Sequence, residues 1–271
     1  MKNTLVKSIK LIVMVAFLVI IFTAISACSR GSAGEGKVAP ESDFQVQLTD
    51  DRAGVMIVKY NGSASKVNIP STIQGMPVKE IAGFSKNTAI KSVIIPEGVT
   101  LIYGSTFEEC SNLSSVSLPS TLRSIGSSTF ADCKALKSID LPAGLVAIGA
   151  EAFYRSGLTS FPNPWPEGIT TIAGSMFMGT SISGSLIIPE GITNIGGHAF
   201  SRTQIASLTL PSTIKQIGQL AFNNCSSLTT VNIPESVRRI SIDSTARTAF
   251  PLSQLTLQSQ ARLMEVDRSG F

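Results

Sequence analysis

Few residues in this sequence could carry acid–base or nucleophilic chemistry. His198 is the only histidine, so a zinc site of the His-Glu-x-x-His type cannot be built, and a hydrolase triad could be built only around this residue. No Gly-x-Ser-x-Gly segment supplies it with a nucleophile. Four carboxylates share one position, directly after a proline that recurs along the chain, and this position is more typical of solvated turns than of an acid–base pair: Glu97, Glu167, Glu190 and Glu235. The sequence therefore predicts a protein that is not an enzyme and that uses no metal or cofactor.

Cys28 has a predicted role of a different kind. It follows a segment with three lysines and an apolar run from Leu11 to Phe22, a pattern that is typical of an export signal and too short to span a bilayer. Ile25-Ser26-Ala27-Cys28 resembles a bacterial lipobox, which implies lipidation of the cysteine and cleavage before it. The alternative is an ordinary signal peptide cut near Ala27. We predict a signal peptide at 1–27 and a protein anchored through two acyl chains to the bacterial cell envelope, exposed at the surface.

The exported chain is nearly neutral. Removing the three signal lysines from the 22 basic residues leaves 19, against 18 acidic residues. No excess of positive charge remains to indicate a nucleic-acid partner. Residues 28–43 are rich in Gly, Ser, Ala and Glu, a composition that predicts a flexible tether between the lipid and the domain that follows.

The rest of the chain is repetitive. A proline recurs about every 23 residues, at Pro96, Pro119, Pro142, Pro166, Pro189, Pro211 and Pro234. A phenylalanine recurs with the same period, at Phe84, Phe107, Phe130, Phe153, Phe177, Phe200 and Phe222. Two residue types with one period of this length indicate a solenoid of stacked units, here called rungs, in which each rung buries its apolar side against its neighbours.

Within one rung, Val116-Ser117-Leu118 alternates as a short strand should, and Pro119 ends it because proline has no N–H to donate. Ser127 to Asp132 then carries Phe130, and we expect a helical or 3₁₀ turn there on the opposite side of the rung.

Three further cysteines each lie three residues after a repeat phenylalanine: Cys110, Cys133 and Cys225. Other rungs place Asn87, Ser156, Thr180 and Thr203 at this step. Equivalent positions on stacked rungs form a line and not a tetrahedron, which argues against a metal site. A Cys110–Cys133 disulfide remains conceivable, but the pattern favours a column of buried thiols.

The combined pattern, Leu-x-x-Val-x-Ile-Pro, then an apolar-x-x-Ile-Gly step, then x-x-Ala-Phe-x-x-Cys, resembles that of BspA-like, treponemal-type leucine-rich-repeat proteins. The resemblance covers residues 44–271. It implies a solenoid of seven to eight rungs, with short parallel strands on one face and helical turns on the other. It also implies an N-terminal cap and first repeat at 44–85, where Asn61-Gly62 suits a hairpin turn. Residues 251–271 predict a helical C-terminal cap, whereas 241–250 could be a degenerate rung or a loop.

The outward side chains of the strands are the candidate binding residues. One row is Ser92, Ser115, Ser138, Ser160, Ser185, Ser207 and Thr230. Its neighbour is Asn68, Ile94, Ser117, Asp140, Ile187, Thr209 and Asn232. These side chains are mostly small and uncharged, so each rung would bind weakly and affinity would come from many contacts.

One rung departs from the pattern. Phe161-Pro162-Asn163-Pro164-Trp165-Pro166 adds one residue to the spacing and contains the only tryptophan. An exposed Trp165 would be an anchor for a partner, whereas the repeat pattern favours an apolar core residue at this position.

Two functions are compatible with these features. Resemblance to the family implies an adhesin that binds host matrix proteins or neighbouring cells through its repeats. The alternative is a structural spacer or envelope-assembly protein without a foreign ligand. Repeat surfaces are reused for many partners, so the pattern does not choose between them.

Overall fold

The computed structural model describes residues 37–234 and 241–242. The chain winds into a solenoid of about eight turns that repeat every 23 residues or so, with short parallel strands, as the sequence predicts. The strands are, in chain order, β1 (Phe44–Leu48), β2 (Val55–Tyr60), β3 (Lys66–Asn68), β4 (Thr72–Ile73), β5 (Met76–Ile81), β6 (Ser92–Ile94), β7 (Leu101–Ile102), β8 (Ser115–Ser117), β9 (Ser124–Ile125), β10 (Ala147–Ile148), β11 (Thr171–Ile172), β12 (Ser183–Ile187), β13 (Asn194–Ile195), β14 (Gln204–Thr209), β15 (Gln216–Ile217), β16 (Thr230–Asn232) and β17 (Ser241–Ile242).

The strands that end just before a repeat proline form the front face of the solenoid. This face holds two separate parallel sheets, β3-β6-β8 and β12-β14-β16. Neighbouring rungs pair in register, so that Ser92 lies beside Ser115 and Leu208 beside Val231. Side chains alternate between core and solvent along each strand. The register places the predicted rows on the outside of the sheets.

A second strand face follows each proline, and the sequence did not predict it. The strands at the apolar-x-x-Ile-Gly step, which are two residues long except for β5, pair in the order β5-β7-β9-β10 and, after an interruption, β11-β13-β15-β17. Their second residue is buried in every rung whose side chains the structure describes, as at Ile102, Ile125 and Ile217. Within each pair of sheets, the regular rungs are therefore hydrogen-bonded to their neighbours on both sides of the proline.

The third side, here called the turn face, carries no helix in the described residues. From Phe107 onward, the residues two before and two after each repeat phenylalanine have positive φ, as at Ser128 and Asp132, both 56°. A left-handed residue cannot continue a right-handed helix. The prediction of helical or 3₁₀ turns on this face was therefore wrong in this detail. The turns instead stack through bonds between rungs, such as Phe130 N–H to the Ala152 carbonyl at 2.8 Å.

The core between the three faces is a column of aromatic rings. All seven repeat phenylalanines are at most 1% exposed. Consecutive ring centroids lie 5.1 to 5.7 Å apart from Phe84 to Phe222. Tyr60 and Phe44 extend the column at its N-terminal end. This confirms the predicted inward direction of the phenylalanine ladder.

The N-terminal end is an antiparallel hairpin of β1 and β2. The hairpin turns at Thr49–Gly54, where the Thr49 N–H donates to the Gly54 carbonyl, so the predicted turn at Asn61-Gly62 was wrong. No strand returns after Asn61, because β3 joins the front face instead. Gly62 is still required for packing, since a Cβ there would lie 2.4 Å from the Tyr60 hydroxyl.

Part of the predicted tether is ordered against the first rung. Val38 forms a parallel bridge to Asn68, and the Ala39 N–H donates to the Asn68 carbonyl at 2.8 Å. Glu41–Asp43 forms a 3₁₀ helix. The folded domain therefore begins before Phe44, its predicted start.

Several sequence predictions lie outside the described residues: the signal peptide at 1–27, Cys28, the first part of the tether and the C-terminal cap at 251–271. Of the ambiguous stretch 241–250, only Ser241–Ile242 is described, and its backbone pairs with β15 as one more step of the second strand face. Within the described segments, no helix is long and apolar enough to cross a membrane.

Candidate interaction surface

The outward rows of the front face lie where the sequence places them within each sheet. Ser185, Ser207 and Thr230 are in register across three rungs. So are Ile187, Thr209 and Asn232. In the first sheet, Ser92 pairs with Ser115, and Ile94 with Ser117. All these side chains are exposed or half-exposed, so the strands present small hydroxyl groups and two isoleucines to solvent.

The hydroxyl groups are linked across rungs. The Ser207 Oγ donates to the Ser185 Oγ at 3.0 Å, and the Asn232 amide to the Thr209 Oγ1 at 3.4 Å. These contacts are exposed, so they contribute little to stability but align polar groups along the solenoid axis.

The rows are not continuous along the whole solenoid. Ser138, Asp140 and Ser160 are exposed but lie outside any strand. The front face therefore consists of two sheets separated by the rungs around 138 and 160, where the prediction had one uninterrupted row. The inserted residue and the additional prolines at 162 and 164 account for the interruption, since proline cannot donate to a strand ladder.

Trp165 belongs to the core. It is 8% exposed, and its Nε1–H donates to the Ile169 carbonyl at 3.0 Å. The half-buried ring of Phe161 stacks on it, with centroids 4.9 Å apart. The interpretation of Trp165 as the apolar residue of its rung is confirmed, and Trp165 is not available as a surface anchor.

A groove lies between the irregular rung and β12. Its volume is about 400 Å³, and it is lined by Ser160, Phe161, Asn163, Ile182, Ser183, Ser185, Leu186, Ile187 and Pro189. Ile187 at its rim is 65% exposed, which is unusual for an isoleucine. None of the lining residues is charged. The groove therefore suits an uncharged, partly apolar ligand.

Two of the post-proline carboxylates, Glu97 and Glu190, bond neighbouring rungs together. Glu190 accepts hydrogen bonds from the Ser212 N–H and Oγ, both at 2.8 Å. The Ser212 N–H is the main cause of a lowered pKa of Glu190. A carboxylate with a lowered pKa is a poor general acid. The sequence analysis described these residues as solvated and missed this contact. The signal for it in the sequence is that Pro-Glu-Gly recurs one rung before Pro-Ser-Thr.

The three repeat cysteines are free and buried, as the thiol-column interpretation predicts. Each Sγ–H donates to the carbonyl of the phenylalanine one rung earlier, such as Cys133 to Phe107 at 3.1 Å. Burial raises the pKa of the Cys110 thiol to about 11 and also raises the pKa values of Cys133 and Cys225. These thiols are therefore protonated at neutral pH and unsuited to nucleophilic chemistry.

His198 occupies a left-handed position of the turn face, with φ 57°. Its backbone N–H donates to the Gln219 carbonyl, whereas no side-chain partner for its ring is found among the described residues. Nor does the described part of the chain contain a group of three or more His, Cys, Asp or Glu residues able to hold a metal ion.

Comparison with known proteins places these features in a family. The family model described as BspA type leucine-rich repeat region matches residues 59–165 and 163–267, with six copies of the repeat. Comparison with curated protein sequences gives no match.

Two solved structures share the fold. A leucine-rich repeat protein of Treponema pallidum is 26% identical, with a TM-score of 0.56, over 87% of this chain and 97% of that one. A leucine-rich cell surface protein of Faecalibacterium prausnitzii is also 26% identical, with a TM-score of 0.62, over 78% of this chain. This chain spans only 58% of the Faecalibacterium protein. The matched repeats cover most of the sequence, and the chain belongs to the BspA-type leucine-rich repeat family.

Proposed function

We propose that this protein is an exported, surface-located interaction module that binds a protein partner along its front face. The observation that carries the proposal is the in-register pairing that presents rows of small, uncharged side chains on successive rungs. Such a surface lets one extended partner contact several rungs at once. The cell-surface description of the Faecalibacterium relative supports the location.

The residues proposed to contact the partner are Ser92, Ile94, Ser115, Ser117, Ser138, Asp140, Ser185, Ile187, Ser207 and Thr209. Ile94 and Ile187 are the apolar contacts among them, and the rest supply hydroxyl or carboxylate groups. With no exposed tryptophan in this set, the affinity would be distributed over many rungs and not concentrated at one residue.

The proposal extends to an adhesin that recognises host matrix proteins or neighbouring cells, held to the membrane by lipid on Cys28. Resemblance to the family supports the adhesin, and the lipobox-like Ile25-Ser26-Ala27-Cys28 supports the anchor. Two acyl chains suffice for stable membrane binding, whereas a single chain gives only marginal binding.

The test is a panel of immobilised matrix proteins and bacterial cells probed with the purified protein. We expect saturable binding that Ser117→Arg and Ser185→Arg abolish, because a long charged side chain on a row blocks a partner lying across it. Val146→Arg is the matched control, since Val146 is 61% exposed but lies just before the second strand face. Retained binding by both serine variants would refute the front face as the site. No saturable binding on any surface would favour a spacer without a foreign ligand.

A further inference from the structure

Strand β12 is an edge strand in the middle of the solenoid. It pairs with β14 on one side and starts the second front sheet. The Ile188 N–H donates to the Thr209 carbonyl at 3.0 Å, which shows that the backbone groups of residues 186 and 188 face β14. Because these groups alternate in direction along a strand, the N–H and C=O groups of Ser185 and Ile187 face the opposite way, toward the irregular rung.

The irregular rung does not pair with this edge. Among the described residues, no backbone hydrogen bond joins Ser185 or Ile187 to the segment 160–166. Regular rungs do make such bonds, as between the Ile95 N–H and the Ser117 carbonyl at 3.0 Å. Four backbone groups, two donors and two acceptors, thus lie along the groove in the geometry of a strand edge, without a backbone partner among the described residues.

The side chains around the groove provide a floor for a bound chain. Phe161 and Ile187 supply apolar surface, with the buried Ile182 and Leu186 beneath them. Phe161 is held in place by Phe177, with ring centroids 5.4 Å apart. Asn163, Ser183 and Ser185 supply uncharged polar groups at the sides. A strand lying here would direct alternate side chains onto Phe161 and out to solvent.

We propose that the groove binds an extended, uncharged polypeptide segment, which adds as a strand to β12 and continues the existing β12-β14-β16 ladder. A polypeptide is the ligand that fits because donors and acceptors repeat along the edge at every second residue, about 6.6 Å apart, as they do in another strand. The inference narrows the proposed function to one site and one class of partner, and it rests on that function.

The probe is a display library of random linear peptides about ten residues long, the upper length of a typical strand, selected on the full chain. Selected peptides should lack central prolines and charges and carry apolar residues at alternate positions. Their binding should weaken at least about tenfold in Ile187→Arg and remain unchanged in Val146→Arg. Amide hydrogen exchange of Ser185 and Ile187, measured by NMR, should slow when the peptide binds.

A chemically matched peptide tests the backbone bonds directly. Methylation of alternate backbone nitrogens removes the donors but keeps every side chain, and it should weaken binding at least about tenfold. Equal binding by the methylated peptide, unchanged exchange at Ser185 and Ile187, or a library that yields no Ile187-dependent binder would each overturn the inference. If one of these results is obtained while Ser117→Arg still fails to bind the panel of matrix proteins and cells, only the groove inference is refuted and the proposed function stands. If peptides bind at the groove but the protein binds no matrix protein or cell of the panel, only the broader proposed function is refuted.

Discussion

Glu97 and Ser120 are 23 residues apart in sequence and adjacent in the solenoid, where the Glu97 carboxylate accepts both the Ser120 N–H at 2.9 Å and the Ser120 Oγ–H at 3.1 Å. The residue after Ser120, Thr121, also bonds to the rung of Glu97. Thr121 Oγ1 accepts the Gly98 N–H at 3.0 Å and donates to the Val99 carbonyl at 2.8 Å. The corner after one proline is thereby bonded to the corner after the next.

This contact predicts a dependence of stability on pH. Hydrogen bonds, chiefly from the Ser120 N–H, lower the pKa of Glu97 below its usual 4.5. A carboxyl group with a lowered pKa in the folded state stabilises the fold above pH 4.5, and this contribution is lost as the pH falls through the folded-state pKa. The double variant Glu97→Gln, Glu190→Gln should therefore show a smaller fall in Tm between pH 7 and pH 3 than the wild-type protein.

Glu167→Gln is the matched control for that experiment. The next rung has Glu190 where the other corners have serine, and no hydrogen bond to Glu167 is found in the described part of the chain. Its removal should leave the pH profile of Tm unchanged. If it changes the profile as much as the double variant does, the inter-rung contact is not the cause.

The aromatic column predicts large effects of truncation. Phe130→Ala and Phe153→Ala should each reduce the free energy of unfolding by about 3 to 5 kcal/mol, because both rings are fully buried and each removal leaves a cavity between rungs. Denaturant unfolding measures the loss, with exposed Ser117→Ala as the control. Losses no larger than that of the control would contradict the core position of the column.

The positive-φ positions of the turn face predict where substitution by glycine should stabilise the protein. Arg202 is exposed with φ 61°, and the equivalent position one rung earlier is Gly179 with φ 70°. Arg202→Gly should raise the free energy of unfolding by up to about 1 kcal/mol, because glycine adopts this conformation without steric cost. Arg202→Ala keeps the Cβ and should give no gain. Gly179→Ala should destabilise by about 1 kcal/mol, and thermal unfolding that ranks the three variants differently would refute the argument.

The buried thiols predict slow alkylation. At pH 8 the raised pKa of Cys110, about 11, leaves little thiolate, and burial excludes the reagent. Peptide mapping after iodoacetamide treatment should find Cys110, Cys133 and Cys225 unmodified in the folded protein and modified in denaturant. Rapid labelling without denaturant would place these thiols at the surface.

The N-terminal anchor prediction concerns Cys28. Cys28→Ala should prevent lipidation and release the protein from membranes, because the two acyl chains are its only predicted anchor. Fractionation and labelling with a palmitate analogue measure both effects. A variant that still takes up label and sediments with membranes would show that the lipobox interpretation is wrong.

Periodicity predicted the features that every rung repeats. The buried phenylalanines, the outward rows within each sheet and the core position of Trp165 all follow from an apolar pattern that recurs at fixed spacing. The second strand face did not follow, since two residues such as Leu101–Ile102 are too few to show alternation. The left-handed turns gave almost no signal, because Gly179 is the only glycine among these positions and residues such as serine, glutamate, arginine and histidine occupy the others in the described rungs.

The irregular rung was visible in the sequence but its effect was not. In the sequence, the three prolines and the added residue raised the question of whether Trp165 is exposed. Their consequence in the structure is an interruption of both strand faces. Whether a rung pairs with its neighbours depends on the backbone of both rungs together, which the composition of a single rung does not specify. The groove beside β12 arises from that mismatch.

The aromatic column has an evolutionary consequence. In the regular rungs each phenylalanine stacks on the rings directly before and after it, so a duplicated 23-residue unit would meet surfaces already complementary to its own. Gain or loss of a regular rung by recombination should therefore preserve the fold and change only the length of the array. The irregular rung is the exception, because Phe161 also contacts Phe200 at 6.2 Å. Recombination between these two residues would separate a pair that spans more than one repeat. The groove therefore requires a fixed set of following rungs, whereas the number of the other rungs is free to vary.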